Sequence, residues 1–305
     1  MKRRHFLAAT AGTCLSAPWL AAQDSTPPSE GGIGGTGIVG ILTDLGSLIV
    51  AGRRVETTNR TRFVNAFGAA RESDIGIGTA LTVEAVAQGG ALVAQRVLVS
   101  YPLIGTLMQD GSVNGIRVIA EPGAVGRPAP GTVVAVSGVW RDGAVVASRF
   151  DRITGAPYSV IAGDILRDAD GSWRIGTARL TLPFGARPTA GTYVTALGSP
   201  ETDGFTVRRQ SAGRFGRRAV LGALAVEGYL RPAPAAPGYR LAGLGHSFDE
   251  GAQLQPFHGH RALFTGPYVQ TFEVSRGLIL PERLDQRRAA MRDVLAGQAT
   301  FRPAR

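Results

Sequence analysis

The chain has 305 residues, a formal net charge of +10 and 44% hydrophobic residues, long enough for two or more small domains with ordinary cores. Its basic charge is carried almost wholly by arginine, because Lys2 is the sole lysine. Beyond that position, a P-loop lysine, a Schiff-base lysine and a Ser-Lys dyad are therefore excluded.

The first residues, "MKRRHFLAATAGTCLSAPWLAAQ", place Lys2, Arg3 and Arg4 before a short apolar run and small residues. This is the pattern of an export signal over 1–23, too short to span a membrane and removed on maturation. Arg3, Arg4, Phe6 and Leu7 resemble the twin-arginine (Tat) signal, although Lys2 and Ala8 replace its usual first and last residues. The one cysteine, Cys14, falls inside this signal, so the mature chain is expected to hold neither thiol nor disulfide. The twin-arginine translocase would be the partner during export and the periplasm the destination, with no transmembrane span in the mature chain.

Residues 24–37 are rich in Pro, Ser and Gly and read as a flexible linker. Gly32, Gly34 and Gly37 have the G-x-G-x-x-G spacing of a dinucleotide-binding turn. That motif works only between a strand and a helix. Here a linker precedes it and a β-branched segment follows, so the run is expected to be a flexible lead into the first strand.

Beyond the linker the chain repeats itself. "GTALTVEAVAQGGALVAQRVLV", "GTVVAVSGVWRDGAVVASRFDRI" and "GTYVTALGSPETDGFTVRRQSA" each open Gly-Thr, alternate, turn at glycine and alternate again to an arginine. Arg96, Arg149 and Arg209 mark the equivalent place, and Arg276 marks it in a weaker fourth copy. With a hairpin-like piece upstream of each copy, the units fall at 38–103, 104–158, 159–219 and 220–280. The reading is a mainly β chain of tandem small β-barrel repeats, OB-like or SH3-like, with one C-terminal α-helix. Asp110-Gly111, Asp142-Gly143, Asp170-Gly171 and Asp203-Gly204 are expected as type I′ hairpin turns. In 281–305, Pro281 to Gly297 reads as the helix, with Leu284, Met291 and Leu295 on one face. Arg283, Arg287, Arg288 and Arg292 would line its other faces, and the helix would pack on the last barrel.

The stretch from Gly32 to Gly37, then Gly46-Ser47-Leu48-Ile49-Val50-Ala51-Gly52 and Val55-Glu56-Thr57, resembles the opening of exported bacterial proteins with the DUF5666 domain. The resemblance covers Gly31 to Ile153 well and the third unit loosely. It implies an exported small β-barrel repeat and supplies no catalytic residues.

Three constellations could carry chemistry. Gly245-His246-Ser247-Phe248-Asp249 nearly matches a nucleophile elbow, with His258 or His260 as base, but a helix must follow Ser247 for that role. His246, His258 and His260, with Asp249 or Glu250, could hold a divalent metal. Arg208, Arg209, Arg214, Arg217 and Arg218, interleaved with Phe205 and Phe215, could bind a polyanion, the plainer reading being a solvated linker. Outside the cytoplasm that anion would be an envelope component rather than nucleic acid. The favoured function is a non-catalytic structural or interaction module of the cell envelope, without a cofactor, contacting an envelope protein or anionic polymer. The competing readings are a periplasmic ligand-binding protein and, more remotely, a hydrolase.

Overall fold

The computed structural model describes residues 34–305. Arg3, Arg4, Phe6 and Leu7 of the signal, Gly32 of the glycine run, and most of the linker lie outside the described residues.

Three units close into the same ring. In the first, Gly35–Asp44, Leu48–Val50 and Arg53–Glu56 form an antiparallel meander. Arg53–Glu56 then runs parallel to Ala91–Val99, which pairs with Ala80–Gln88, which returns to Gly35–Asp44. The parallel contact between third and fifth strands is the Greek-key closure of an OB-type barrel, which settles the choice left open by the sequence. The second barrel repeats it with Leu103–Thr106, Ser112–Val113, Ile116–Val125, Val133–Arg141 and Ala144–Arg152. The third does so with Ser159–Arg167, Trp173–Ile175, Ala178–Thr181, Tyr193–Glu201 and Gly204–Ala212.

The repeated letters have repeated jobs. Gly78, Gly131 and Gly191 all adopt a positive φ, between 82° and 89°, open to glycine but strained for other residues. Each Gly-Thr pair then exchanges two backbone hydrogen bonds with one residue of the first strand or its end, Leu42, Leu107 or Ile165. Arg96, Arg149, Arg209 and Arg276 sit opposite Glu84, Ser137, Leu197 and Thr265. In the first three barrels a β-bulge follows that pairing, at Ala85, Gly138 and Gly198. A Cβ on Gly138 would lie 2.3 Å from the Val146 carbonyl oxygen, and one on Gly198 closer still to that of Thr206, so the bulge demands glycine there.

The fourth unit, Leu221–Pro232, Tyr239–Leu241, Arg261–Val269 and Arg276–Ile279, keeps the plan but loses its third strand. Residues 242–260 form a loop there, and one parallel bridge, Phe248 to Phe272, remains of the third-to-fifth pairing. Phe248, Leu254 and Phe257 from this loop fill the core beneath it. The barrels are joined in pairs. Gly35–Asp44 lies parallel to Leu221–Pro232, and Val160 and Ile161 pair with Ile104 and Leu103.

Several expectations need correction. The glycine run is not a flexible lead from Gly35 on: that residue begins a strand paired on both sides. Gly37 is there because a Cβ would meet Leu224 at 2.6 Å and the Phe215 ring at 2.8 Å. Of the four Asp-Gly turns, Asp142-Gly143 alone has both residues at positive φ. Asp110 and Asp170 instead accept the amide and hydroxyl of Ser112 and Ser172, while the glycine between takes the left-handed turn.

The helix runs Leu284–Leu295 and meets the fourth unit as expected, with Arg287 at Glu227 and Met291 in one cluster with Leu263, but it also packs over the first barrel and against Ile116–Val125 of the second. Met291 enters the first barrel's core, Arg288 donates to the Thr43 carbonyl, and Arg292 pairs with Asp44. Arg287, expected on an outer face, is fully buried. It joins Glu121 of the second barrel and Glu227 and Arg261 of the fourth in a cluster with no solvent exposure. Arg261 bonds Glu121 and, at 2.7 Å, Glu227; Arg287 bonds Glu121 and lies 3.0 Å from Glu227. The other Glu227 oxygen accepts the Ile41 amide of the first barrel at 2.9 Å. Two carboxylates and two guanidiniums thus cancel where three barrels and the helix meet.

Candidate functional site

The arginine run does not form one surface. Arg208 and Arg209 are exposed on the third barrel, where Arg208 lines a groove of about 470 Å³ beside Tyr158 and Gly198. Arg214 turns inward: its Nε donates to the Gly243 carbonyl at 2.6 Å, its Nη1 to Thr82 Oγ1 at 3.2 Å. Its guanidinium lies 4.1 Å from the Tyr193 ring centroid. Phe215 is inward too, stacked on His246. The Gly216 amide donates to Glu84 Oε1 at 2.6 Å, and Arg96 Nη1 donates to the same oxygen at 2.8 Å and to the Arg214 carbonyl at 3.3 Å.

Residues 214–216, read as solvated linker, are therefore an arm fastened at three successive residues. What the arm leaves outside is Arg217 and Arg218, both exposed. With Arg62 and Arg96 of the first barrel they rim a groove of about 710 Å³, floored by Val64, Ala85 and Leu221. The lining holds four arginines and one carboxylate, Glu84, which Arg96 and the arm already occupy. A pinned, cationic groove with an apolar floor can hold an anionic chain by charge and bidentate hydrogen bonds.

The histidines are spread apart. His246 is half-buried between Phe215 and Tyr268, whose hydroxyl lies 3.0 Å from Nδ1. His258 is exposed against Tyr239, and His260 is exposed at the position that threonine holds in the other copies. It makes the same turn, its amide bonding the Phe257 carbonyl as Thr79, Thr132 and Thr192 bond theirs three residues back. Asp249 accepts the Val274 amide and pairs with Arg305. Among the described residues no three His, Cys, Asp or Glu side chains come together as a metal-binding group. Ser247 is followed by the bridge at Phe248 rather than by a helix, so the elbow geometry is not formed.

Burial, and secondarily the nearby Arg214, hold the His246 imidazole below its usual pKa. The folded protein thus prefers the neutral ring while the unfolded chain protonates near the usual value. Stability from this group is complete above that value and is lost as pH falls through it towards the folded pKa. Urea midpoints measured from about pH 7.5 to about pH 5.5 are expected to fall less in His246→Phe, which keeps the stack on Phe215, than in the parent.

Sequence reading missed Arg62, Glu84 and the groove role of Arg96. The one available signal was the repeat itself, which marked Arg96 as a fixed position.

By fold and site this is a tandem OB-type barrel protein with an arginine-rimmed groove beside its first barrel. Residues 36–97, within that first barrel, match the family described as "Domain of unknown function (DUF5666)". No curated protein and no solved structure matches the chain. The family match stops within the first barrel, whereas the resemblance read from the sequence ran on to Ile153; the second and third barrels nevertheless share the strand order. No helix among the described residues is long and apolar enough to cross a membrane.

Proposed function

We propose that this protein is an exported, non-catalytic interaction module of a bacterial cell envelope that holds an envelope component against its first barrel. The observation that carries this reading is the fastened arm. Three successive residues are locked so that Arg217 and Arg218 stand over a preformed groove. A binding surface set in advance loses little entropy on engagement. The Arg3-Arg4-His5-Phe6-Leu7 order supports delivery to the periplasm by the twin-arginine translocase.

The test is sedimentation of the purified mature chain with isolated envelope fragments. Saturable co-sedimentation that is reversed by salt is expected. A chain that stays in the supernatant at every salt concentration would contradict the reading. In cells, Arg3→Lys/Arg4→Lys is expected to leave the precursor in the cytoplasm, whereas unchanged periplasmic recovery would remove the twin-arginine route.

A further inference from the structure

The groove's lining discriminates among anionic partners. Its cations are all arginines, which match phosphate and carboxylate with paired donors. No aromatic side chain lines it, so it offers no platform for stacking bases or sugar rings. It is concave, bounded on one side by the first barrel and on the other by the arm, a shape that suits a chain lying along it. Arg62, Arg217 and Arg218 make no ion pair with another described residue. Arg96, the fourth arginine, is committed to Glu84.

We infer that the groove binds a linear phosphate-bearing polymer, read through successive phosphates by Arg62, Arg217 and Arg218. This rests on the interaction-module reading and names the chemical class of its partner. Arg96 acts differently: it holds Glu84 on the arm and so positions Arg217 and Arg218. Three phosphate contacts give a definite salt response. Affinity should fall roughly twentyfold between about 50 and about 200 mM salt.

The test uses the mature chain with linear inorganic polyphosphate as probe, in parallel with orthophosphate, polygalacturonate and vesicles containing anionic phospholipid. Polyphosphate is expected to bind more tightly than the other three. Arg217→Glu/Arg218→Glu and Arg62→Glu should each weaken it at least tenfold without changing the thermal transition, since no hydrogen bond or ion pair of the described residues involves these side chains. Arg208→Glu/Arg209→Glu, on the third barrel, should leave it unchanged. Equal binding of polyphosphate and orthophosphate, stronger binding of polygalacturonate or vesicles, or an equal loss in the Arg208/Arg209 variant would each overturn the inference. A chain that sediments with envelope fragments yet ignores polyphosphate would overturn it while leaving the interaction-module reading in place.

Discussion

Arg261→Met is expected to destabilise the protein by about 3–5 kcal/mol, read as a shift in urea midpoint followed by circular dichroism. Arg261 bonds Glu121 and Glu227, and all three side chains are fully buried. Its removal leaves two carboxylates near each other with Arg287 as their sole guanidinium. Burial already pushes the Glu121 carboxyl up beside two cations. With one cation gone, Glu121 should bind a proton more readily in the folded state than in the unfolded chain. The variant's deficit should therefore shrink as pH falls towards the carboxylate range and grow above it. Replacing the whole quartet with apolar residues of similar volume should recover most of the loss, because a buried ion cluster contributes little net stability over good packing. A loss below about 1 kcal/mol in Arg261→Met would mean that the cluster does not join the barrels.

Trp140→Ala is expected to cost a comparable amount, about 3–5 kcal/mol. Trp140 belongs to the second barrel, but its indole N–H donates to the Ala162 carbonyl of the third at 2.9 Å. Its ring lies against Gly163 and Gly176 of the third barrel and Gly243 beside the fourth. At Gly243, which is also at φ +73°, a Cβ would lie 2.5 Å from the indole Cδ1. The loss should be larger than that of Trp140→Phe, which retains most of the ring volume. A single barrel core would lose only local packing, whereas this residue connects three units. Gly243→Ala should destabilise as well, through strain at positive φ and contact with the indole. Equal stability of Trp140→Ala and the parent would show that the third barrel does not lean on this ring.

The repeat was legible because its signals are local. Gly-Thr marks a positive-φ entry to the fourth strand, and the arginine some seventeen residues on faces the residue before the bulge in the first three units. The central charge cluster was not legible, although Glu227 within "LGALAVEGYL" and Arg261 before "ALFTG" are charges in apolar strands. A charge in that setting requires a partner, but the partners lie 34, 140 and 166 residues away in the chain. The helix was found, but its contacts with the first and second barrels were missed for the same reason: Arg287 reads as surface until its buried carboxylates are known.

The candidate site divides likewise. Periodicity could not show that Arg214 turns inward while Arg217 and Arg218 face out, because that depends on Glu84 and Gly243 catching the arm. Arg62 enters the groove from a short strand, Arg62–Asn65, inserted between the third and fourth strands of the first barrel. Nothing in its local sequence links it to residues more than 150 positions later. The histidines form a group in sequence alone. Gly259 carries the turn between two of them, and His246 and His258 stack on different rings.

The most direct measurement is hydrogen–deuterium exchange of the mature chain with and without envelope fragments at low salt. New protection is expected at 62–64, 84–86 and 216–221, with loss of that protection in Arg217→Glu/Arg218→Glu. Protection confined to 246–260, or absent everywhere while the chain co-sediments, would contradict the groove as the binding surface.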